Sequence, residues 1–145
     1  PPPFFFYTQT PPTAILSGLV GSEMCIRDSF QDCVGFDERY RTQSGCTIYV
    51  LEDHKFYLNE VKQGSELVIR TSLVDADKKK FILHSEMSVQ DTLVATSEML
   101  QAHINTNPKP KVTEMPLERY ELFNNLLEQT NKVVYRRRRK LFLRD

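Results

Sequence analysis

Several residue types are scarce in this sequence of 145 residues. It has no tryptophan, five glycines and three cysteines, Cys25, Cys33 and Cys46. An odd, sparse set of cysteines at no metal-ligand spacing argues against a disulfide framework and against a zinc site. This pattern is typical of a reducing compartment, and we expect the cytoplasm. No stretch approaches the roughly 20 apolar residues that cross a bilayer, so the sequence predicts no membrane span.

The chain also lacks an excess of charge of either sign, because 19 lysines and arginines balance 19 acidic residues. A formal net charge of zero removes the global field that would favour nucleic acid or an anionic membrane as partner. The exception is local, in the run from Arg136 to Lys140. Clustered guanidinium groups bind phosphates, but we favour the alternative of a solvated basic tail over residues 132–145.

The first 29 residues differ in character from the rest. Residues 1–12 contain five prolines and four aromatic residues. Proline removes a backbone donor and fixes φ, which argues against a helix or an interior strand and favours a disordered extension. Residues 18–29, GLVGSEMCIRDS, match the translation of a transposase-based sequencing adapter. We therefore predict that residues 1–29 are not native, and the predicted domain starts at Phe30.

Four strands are predicted from residue 46 onwards. Residues 46–58 are dominated by β-branched and aromatic side chains, and the others span 66–74, 80–89 and 93–104. Short turns between consecutive strands predict an antiparallel meander. Alternation would divide the first of these strands into one face with Ile48, Val50, Glu52, His54 and Phe56 and another with Tyr49, Leu51, Asp53, Lys55 and Tyr57.

Helical patterns flank these strands. Residues 32–45 are typical of the end of a helix followed by a turn. In residues 116–130, a proline in the first turn and apolar side chains at spacings of three and four predict a second helix. Because a sheet of this length buries one face against a helix, we predict a partial α+β domain over residues 30–115, then a helix over 116–131.

Two stretches carry a resemblance to a known family. They are residues 47–64, TIYVLEDHKFYLNEVKQG, and residues 93–104, LVATSEMLQAHI. Together they resemble the hotdog-fold acyl-CoA thioesterases, and most of all the betainyl-CoA thioesterases of carnitine catabolism, which also occur fused to L-carnitine dehydrogenase. The resemblance implies an α+β hotdog fold, an antiparallel sheet around a helix, assembled as a homodimer or a higher homo-oligomer. It also implies an acyl-CoA substrate, with no metal and no cofactor beyond the CoA of that substrate.

The chain departs from that family pattern near its start. The first strand and the beginning of the central helix of the family carry an Asp-x-Asn-Gly-His-Met-Asn-like motif, and nothing in this sequence matches it. We therefore expect the first strand and most of the central helix to be missing or replaced, and this truncated chain to lack part of the catalytic apparatus. At Ser85 the family leads us to expect a histidine.

The best candidates for catalysis are Glu52 and His54. They lie two residues apart on one strand, so both project from the same face, where a carboxylate and an imidazole could act as general acid and base. The alternative is a hydrogen-bonded pair that fixes strand register or a dimer interface. Glu60 is a candidate substrate contact or a surface carboxylate, and the single histidines His84 and His103 suggest surface or core positions.

An aromatic group is the last candidate. Betaine carries a trimethylammonium group, and aromatic faces bind such cations. Tyr49, Phe56 and Tyr57 could contribute to a cage, although ordinary packing in a β-core would explain them equally well. The sequence thus predicts hydrolysis of a short polar acyl-CoA, betainyl-CoA first. The alternatives are a thioesterase for another short-chain or aromatic acyl-CoA, and a non-catalytic hotdog protein that binds an acyl-CoA or only dimerises.

Overall fold

The computed structural model describes residues 5–9, 27, 30–62, 64–130 and 140–143. The predicted adapter-derived stretch, except Arg27, and the arginines of the basic run lie outside these residues. The described strands are β1 Phe5–Gln9, β2 Cys46–Tyr57, β3 Leu67–Ala76, β4 Lys80–Val89, β5 Thr92–Asn105 and β6 Lys111–Val112. The helices with described bounds are α1 Glu38–Ser44 and α2 Leu117–Thr130, and the described residues 30–33 are also helical. The predicted α+β class is confirmed, and no helix in the described part is long and apolar enough to cross a membrane.

The strands form one antiparallel sheet in the order β1-β3-β4-β5-β2, with β6 paired to β5. Strands β3, β4 and β5 form the predicted meander. The expected place of β2 in that meander is wrong, because β2 pairs with β5 and not with β3. Residues 58–66 form a connection too long for a tight hairpin, and the backbone amides of Leu58 and Asn59 both donate to the carbonyl of Val94.

Strand β1 corrects the expectation of disorder in the N-terminal segment and fits the expectation that the first strand is replaced. Phe5 lies opposite Thr71 and Gln9 opposite Leu67, so residues 5–9 extend the sheet beyond β3. This stretch is a strand where we expected disorder, and the place of a first strand is filled. Aromatic and β-branched residues suit a strand, and an edge position tolerates the neighbouring prolines. The non-native origin of residues 1–29 stays a prediction, which resequencing of the source DNA would check.

A β-bulge in β2 changes the predicted faces of this strand. Val50 lies opposite Gln101 and Glu52 opposite Leu100, so Leu51 is an extra residue without a counterpart in β5. A bulge reverses the alternation beyond it. The predicted faces are therefore wrong past Val50. One face carries Ile48, Val50, Asp53, Lys55 and Tyr57, and the other carries Tyr49, Glu52, His54 and Phe56.

The inner face of the sheet, defined here as the face that packs against the helices, holds the main core. Strands β3 and β4 contribute Leu73, Phe81 and Leu83 to this core, and α2 contributes Phe123 and Leu126. The other buried members are Phe30, Val34, Phe36 and Met115. The rings of Phe81 and Phe123 pack edge to face, with their centroids 4.9 Å apart. The predicted C-terminal helix is thus part of the same core. The opposite face is called the outer face below.

A buried histidine ties α1 to the sheet. Asp37 caps α1 by accepting a hydrogen bond from the backbone amide of Tyr40. This places the Tyr40 hydroxyl 2.7 Å from Nε2 of His103, whose Nδ1 lies 3.1 Å from the carbonyl oxygen of Thr113. A carbonyl can only accept, so Nδ1 carries the hydrogen, and Nε2 accepts from the hydroxyl. The ring is neutral, and burial lowers the pKa of His103.

We expect this histidine to make stability depend on pH. In the unfolded chain His103 takes up a proton near pH 6.5, whereas the folded protein resists it. The contribution of His103 is therefore complete above about pH 6.5 and is lost as pH falls through the lower folded pKa. Urea unfolding between pH 8 and pH 5 should show a steeper loss for the wild type than for His103→Gln. Parallel pH profiles would contradict this role.

Candidate active site

The predicted catalytic pair forms on the outer face of β2. Oε1 of Glu52 lies 2.8 Å from Nε2 of His54, and the two side chains are 29% and 25% exposed. The expectation that both project from one face is confirmed. A further carboxylate is close to this pair, because His54 lies directly opposite Glu98 of β5. The pair is close enough for proton transfer and open enough for water to reach it.

A row of buried polar residues continues from this pair across the sheet. Glu98 is 4% exposed and His84, its neighbour on β4, is 2% exposed. Nδ1 of His84 lies 3.9 Å from Oε1 of Glu98, and Nε2 lies 3.4 Å from Oε1 of Glu86. The hydrogen bond with His84 is the main reason that the pKa of Glu86 is lowered. The outer face therefore places a second set of acid and imidazole groups behind the exposed pair.

Our sequence analysis missed Glu98 as part of this group. Its one signal is a carboxylate in the middle of the apolar run 93–104, where a strand of the core would bury it. His84, expected at the surface or in the core, is in the core. Within the described residues, no three histidine, cysteine or acidic side chains converge closely enough to hold a metal ion.

The described C-terminal residues cover part of the outer face. The backbone amide of Leu141 donates to Oε2 of Glu98 at 2.6 Å. The side chain of Leu141 is 3% exposed and packs against Ile82 and Leu100, with Leu143 beside them. A buried carboxylate needs such donors, so residues 140–143 help to keep Glu98 shielded from water.

A pocket of about 770 Å³ lies on the outer face, next to the part of β2 that carries Glu52. Its apolar part and its charged rim are formed by Leu51, Leu100, Val112, Asp77, Lys78, Lys79, Lys80 and Glu114. Glu52 follows Leu51 in the chain and lies opposite Leu100, so the pair adjoins this pocket. The arrangement combines an acid–base pair, an apolar surface and a cluster of lysines, which is suited to a ligand with both apolar and anionic parts.

The structure does not bring the three aromatic candidates into one cage. The bulge places Tyr49 and Phe56 on the outer face but Tyr57 on the inner face. Six residue steps of a strand separate the first two, about 20 Å at the usual rise, whereas a cation contacts rings within about 6 Å. All three side chains are exposed, so packing in the β-core does not explain them either.

Glu60 lies apart from the other candidates. It is exposed and lines a second pocket of about 770 Å³ beyond the end of β2, together with Asn59, Lys62 and Glu66. It lies past the end of β2, the strand that carries the Glu52–His54 pair. The structure thus brings together Glu52 and His54, with Phe56 two residues further along, and leaves Tyr49, Tyr57 and Glu60 at other places.

An antiparallel sheet with its helices on one face fits the hotdog fold that the resemblance implied. A solved structure confirms this fold. It is that of a hypothetical protein from Staphylococcus aureus in complex with CoA, with a TM-score of 0.85, 18% identity and coverage of 97% of this chain and 96% of that chain. The family model of the thioesterase-like superfamily matches residues 23–130. The chain belongs to this superfamily.

Two curated relatives share more sequence with part of the chain. The betainyl-CoA thioesterase of Pseudomonas aeruginosa is 30% identical over 80 residues, which cover 54% of this chain and 50% of the relative. The L-carnitine dehydrogenase/betainyl-CoA thioesterase of Agrobacterium fabrum is 34% identical over 84 residues, which cover 57% of this chain and 17% of the relative. The matched region is thus half of the first relative and a smaller part of the second.

Proposed function

We propose that the protein is an acyl-CoA thioesterase that hydrolyses a short polar acyl-CoA, with betainyl-CoA as the preferred substrate. The observation that carries this proposal is the contact between Glu52 and His54 next to the lysine-rimmed pocket. Membership of the thioesterase-like superfamily supports the reaction class. The names of the two partial relatives support the acyl group. Fusion to a carnitine dehydrogenase stays a prediction for the gene, and a cytoplasmic location stays one for the protein.

The proposed chemistry assigns a separate role to each member of the pair. Ionised Glu52 accepts the Nε2 hydrogen of His54, which leaves Nδ1 free to act as a base. Nδ1 takes a proton from water while the water oxygen adds to the thioester carbonyl carbon. The tetrahedral intermediate then breaks its C–S bond, and the imidazolium returns the proton to the CoA thiolate. The products are the free acid and CoA, so no other reactant is needed.

Phe56 offers a way to test the acyl group. It projects from the outer face two residues beyond His54, and its ring is partly exposed. A ring face attracts a quaternary ammonium by about 0.5–2 kcal/mol. We expect kcat/KM for betainyl-CoA to exceed that for 3,3-dimethylbutyryl-CoA, its neutral isostere, by about 2- to 30-fold. The Phe56→Leu variant should reduce this ratio towards one.

The rival functions predict other results in the same assay. A hotdog thioesterase for another acyl group would prefer the neutral or an aromatic acyl-CoA, and Phe56→Leu would not change the ratio selectively. A non-catalytic binding protein would bind acyl-CoA without releasing a thiol. Titration of the released CoA thiol with a chromogenic disulfide separates all three functions.

We further propose a homodimer in which β2 pairs with β2 of a second copy. Strand β2 is at the end of the strand order, and no described strand pairs with its other edge. An unprotected edge of twelve residues is a template for another strand. Both of its faces carry exposed apolar side chains, namely Tyr49, Val50, Leu51, Phe56 and Tyr57. Antiparallel pairing would give a closed, symmetric assembly.

A charge near the middle of this edge tests the dimer. In an antiparallel pair of identical strands, Val50→Glu places two like charges close together across the interface, which is destabilising. We expect the variant to sediment as a monomer at concentrations where the wild type is a dimer. Val68→Glu is the matched control, because Val68 is 39% and Val50 37% exposed, but Val68 lies on β3. Equal dissociation in both variants would contradict the β2 interface.

A further inference from the structure

We propose that Lys78, Lys79 and Lys80, in the turn between β3 and β4, bind the phosphate groups of CoA. The inference rests on the proposed function and adds a binding site to it. All three lysines line the outer-face pocket of about 770 Å³, opposite the apolar side chains of Leu51 and Leu100. The lysines had no role in the sequence-based prediction, which placed only a short turn between the strands over residues 66–74 and 80–89.

The backbone of this turn is held in place before any ligand binds. Oδ1 of Asp77 accepts the backbone amides of Lys79 and Lys80 at 2.6 and 2.7 Å. The carbonyl oxygens of Lys78 and Lys79 accept the amides of Met115 and His103, each at 2.8 Å. Strand β5 and the segment before α2 thus fix the turn from two sides. A ligand would have to order only the lysine side chains, which lowers the entropic cost of binding.

The charges of the turn are not neutralised within the described part of the chain. None of the three lysine ammonium groups forms an ion pair with a described residue, in contrast to Lys55, which pairs with Asp53. Asp77 and Glu114 also line the pocket, but an oxygen of Asp77 is engaged by backbone amides. Lysine binds phosphate as a point charge, so this rim suits a ligand with several phosphate charges.

The apolar part of the pocket narrows the chemical class of the ligand. Leu51, Leu100 and Val112 form an apolar surface beside the lysines. Free inorganic phosphate has no apolar part that could cover this surface. A nucleotide that carries phosphates and an extended organic arm matches both halves. The 3′-phosphoadenosine diphosphate end of CoA, followed by its pantetheine arm, has this chemistry.

The position of the turn also fits a ligand that reaches the catalytic pair. Lys80 lies opposite Ala102, which lies opposite Tyr49, whereas Glu52 lies opposite Leu100. Two strand spacings across the sheet and two residues along it separate the Cα atoms of Lys80 and Glu52 by about 12 Å. The pantetheine arm of CoA bridges such a distance. Phosphates at the turn and a thioester beside Glu52 can therefore belong to one molecule.

Calorimetric titration with CoA and with adenosine 3′,5′-bisphosphate tests this site directly. We expect the triple variant Lys78→Ala/Lys79→Ala/Lys80→Ala to weaken the binding of both ligands by about 10- to 100-fold. The control variant Arg39→Ala/Lys62→Ala/Lys109→Ala removes the same charge from other exposed positions and should bind like the wild type. Lys79→Glu is a second variant, with a single change, for the case that the triple variant folds poorly. It should also weaken CoA binding.

Turnover of a substrate without phosphates separates this site from the proposed catalysis. Acyl-N-acetylcysteamine thioester has no nucleotide, so its hydrolysis should be the same in the wild type and the triple variant, while KM for acyl-CoA rises. If the protein bound CoA but hydrolysed neither thioester, the proposed thioesterase activity would be refuted. The calorimetric titration of the variants would still decide whether the lysines bind CoA. Unchanged CoA affinity in the triple variant, an equal loss in the control, or no CoA binding by the wild type would each refute the lysine site.

Discussion

Replacement of Glu52 by glutamine is expected to lower kcat for the acyl-CoA substrate by about 10²- to 10⁴-fold, the usual contribution of a general acid–base group. Glutamine keeps the size of the side chain but removes the charge that orients His54 and stabilises its protonated form. His54→Gln should cause a loss of similar size, and the double variant should be little worse than either single variant, because the two groups act as a unit. The measurement is the initial rate of thiol release at saturating substrate.

The adjacent residue provides a matched control for this experiment. Asp53 is the next carboxylate on β2, but it lies on the inner face, where its oxygens contact Ser97 and Lys55. Asp53→Asn should therefore leave kcat within about 2-fold of the wild type, far from the loss expected at an acid–base group. If Asp53→Asn abolished turnover and Glu52→Gln did not, the chemistry would lie on the inner face. If Glu52→Gln lowered the melting temperature but not kcat, the pair would only fix strand register.

The largest expected effect on stability comes from Phe123→Ala. The Phe123 ring is fully buried and meets the rings of Phe30, Phe36 and Phe81 with centroids 4.9 to 6.1 Å apart. Truncation of such a ring leaves a cavity between α2 and the sheet and costs about 3–5 kcal/mol. This is a large part of the 5–15 kcal/mol that stabilises a typical domain. Urea unfolding followed by circular dichroism would measure the loss.

An exposed leucine on the same helix gives the comparison for this prediction. Leu117 is 69% exposed, so Leu117→Ala removes an apolar side chain of α2 without opening a cavity. Its effect should stay within about 0.5 kcal/mol. If Phe123→Ala lowered the free energy of unfolding as little as Leu117→Ala, α2 would not be part of the core. The helix would then be a separate segment after the domain, as the sequence-based prediction of a 116–131 helix placed it.

The local structure of the chain could be predicted well from its sequence. The predicted strand over residues 80–89 has the bounds of β4, and the predicted helix over 116–130 differs from α2 by one residue. Alternating apolar residues and a proline in the first turn are local signals, since they depend on backbone geometry and not on partners. The same local geometry predicted that Glu52 and His54 share a face.

The partners of β2 could not be predicted in this way. Residues 61–65 were predicted to form a short turn between two paired strands, but the strand beside β2 is β5, and 34 residues separate the two in the chain. Its bulge at Leu51 has no signal in the residue pattern, yet it places Asp53 and Tyr57 on the inner face with Ile48 and leaves Tyr49 on the outer face. Tyr49 and Tyr57, which alternation placed on one face, therefore lie on opposite faces of the sheet.

Much of the candidate site is also a product of the tertiary structure. Glu98 and His84 are 14 residues apart in the chain, and Lys80 and Glu52 are 28 apart. They approach one another only because β4, β5 and β2 are neighbours in the sheet. No spacing in the sequence marks these residues as a group, because the hydrogen bonds that align the strands join backbone atoms, which are common to all residues.

The sequence by itself therefore determined the strands β2 to β5, the helix α2, the resemblance to the hotdog thioesterases and the pairing of Glu52 with His54. Each of these depends on residues close together in the chain or on a continuous motif. The tertiary structure decided the order of the strands, the faces of β2 and the polar row behind the pair. It also decided the position of the lysine turn beside the pocket. These features depend on which distant segments share a core, and that is set by the burial of apolar surface over the whole sheet.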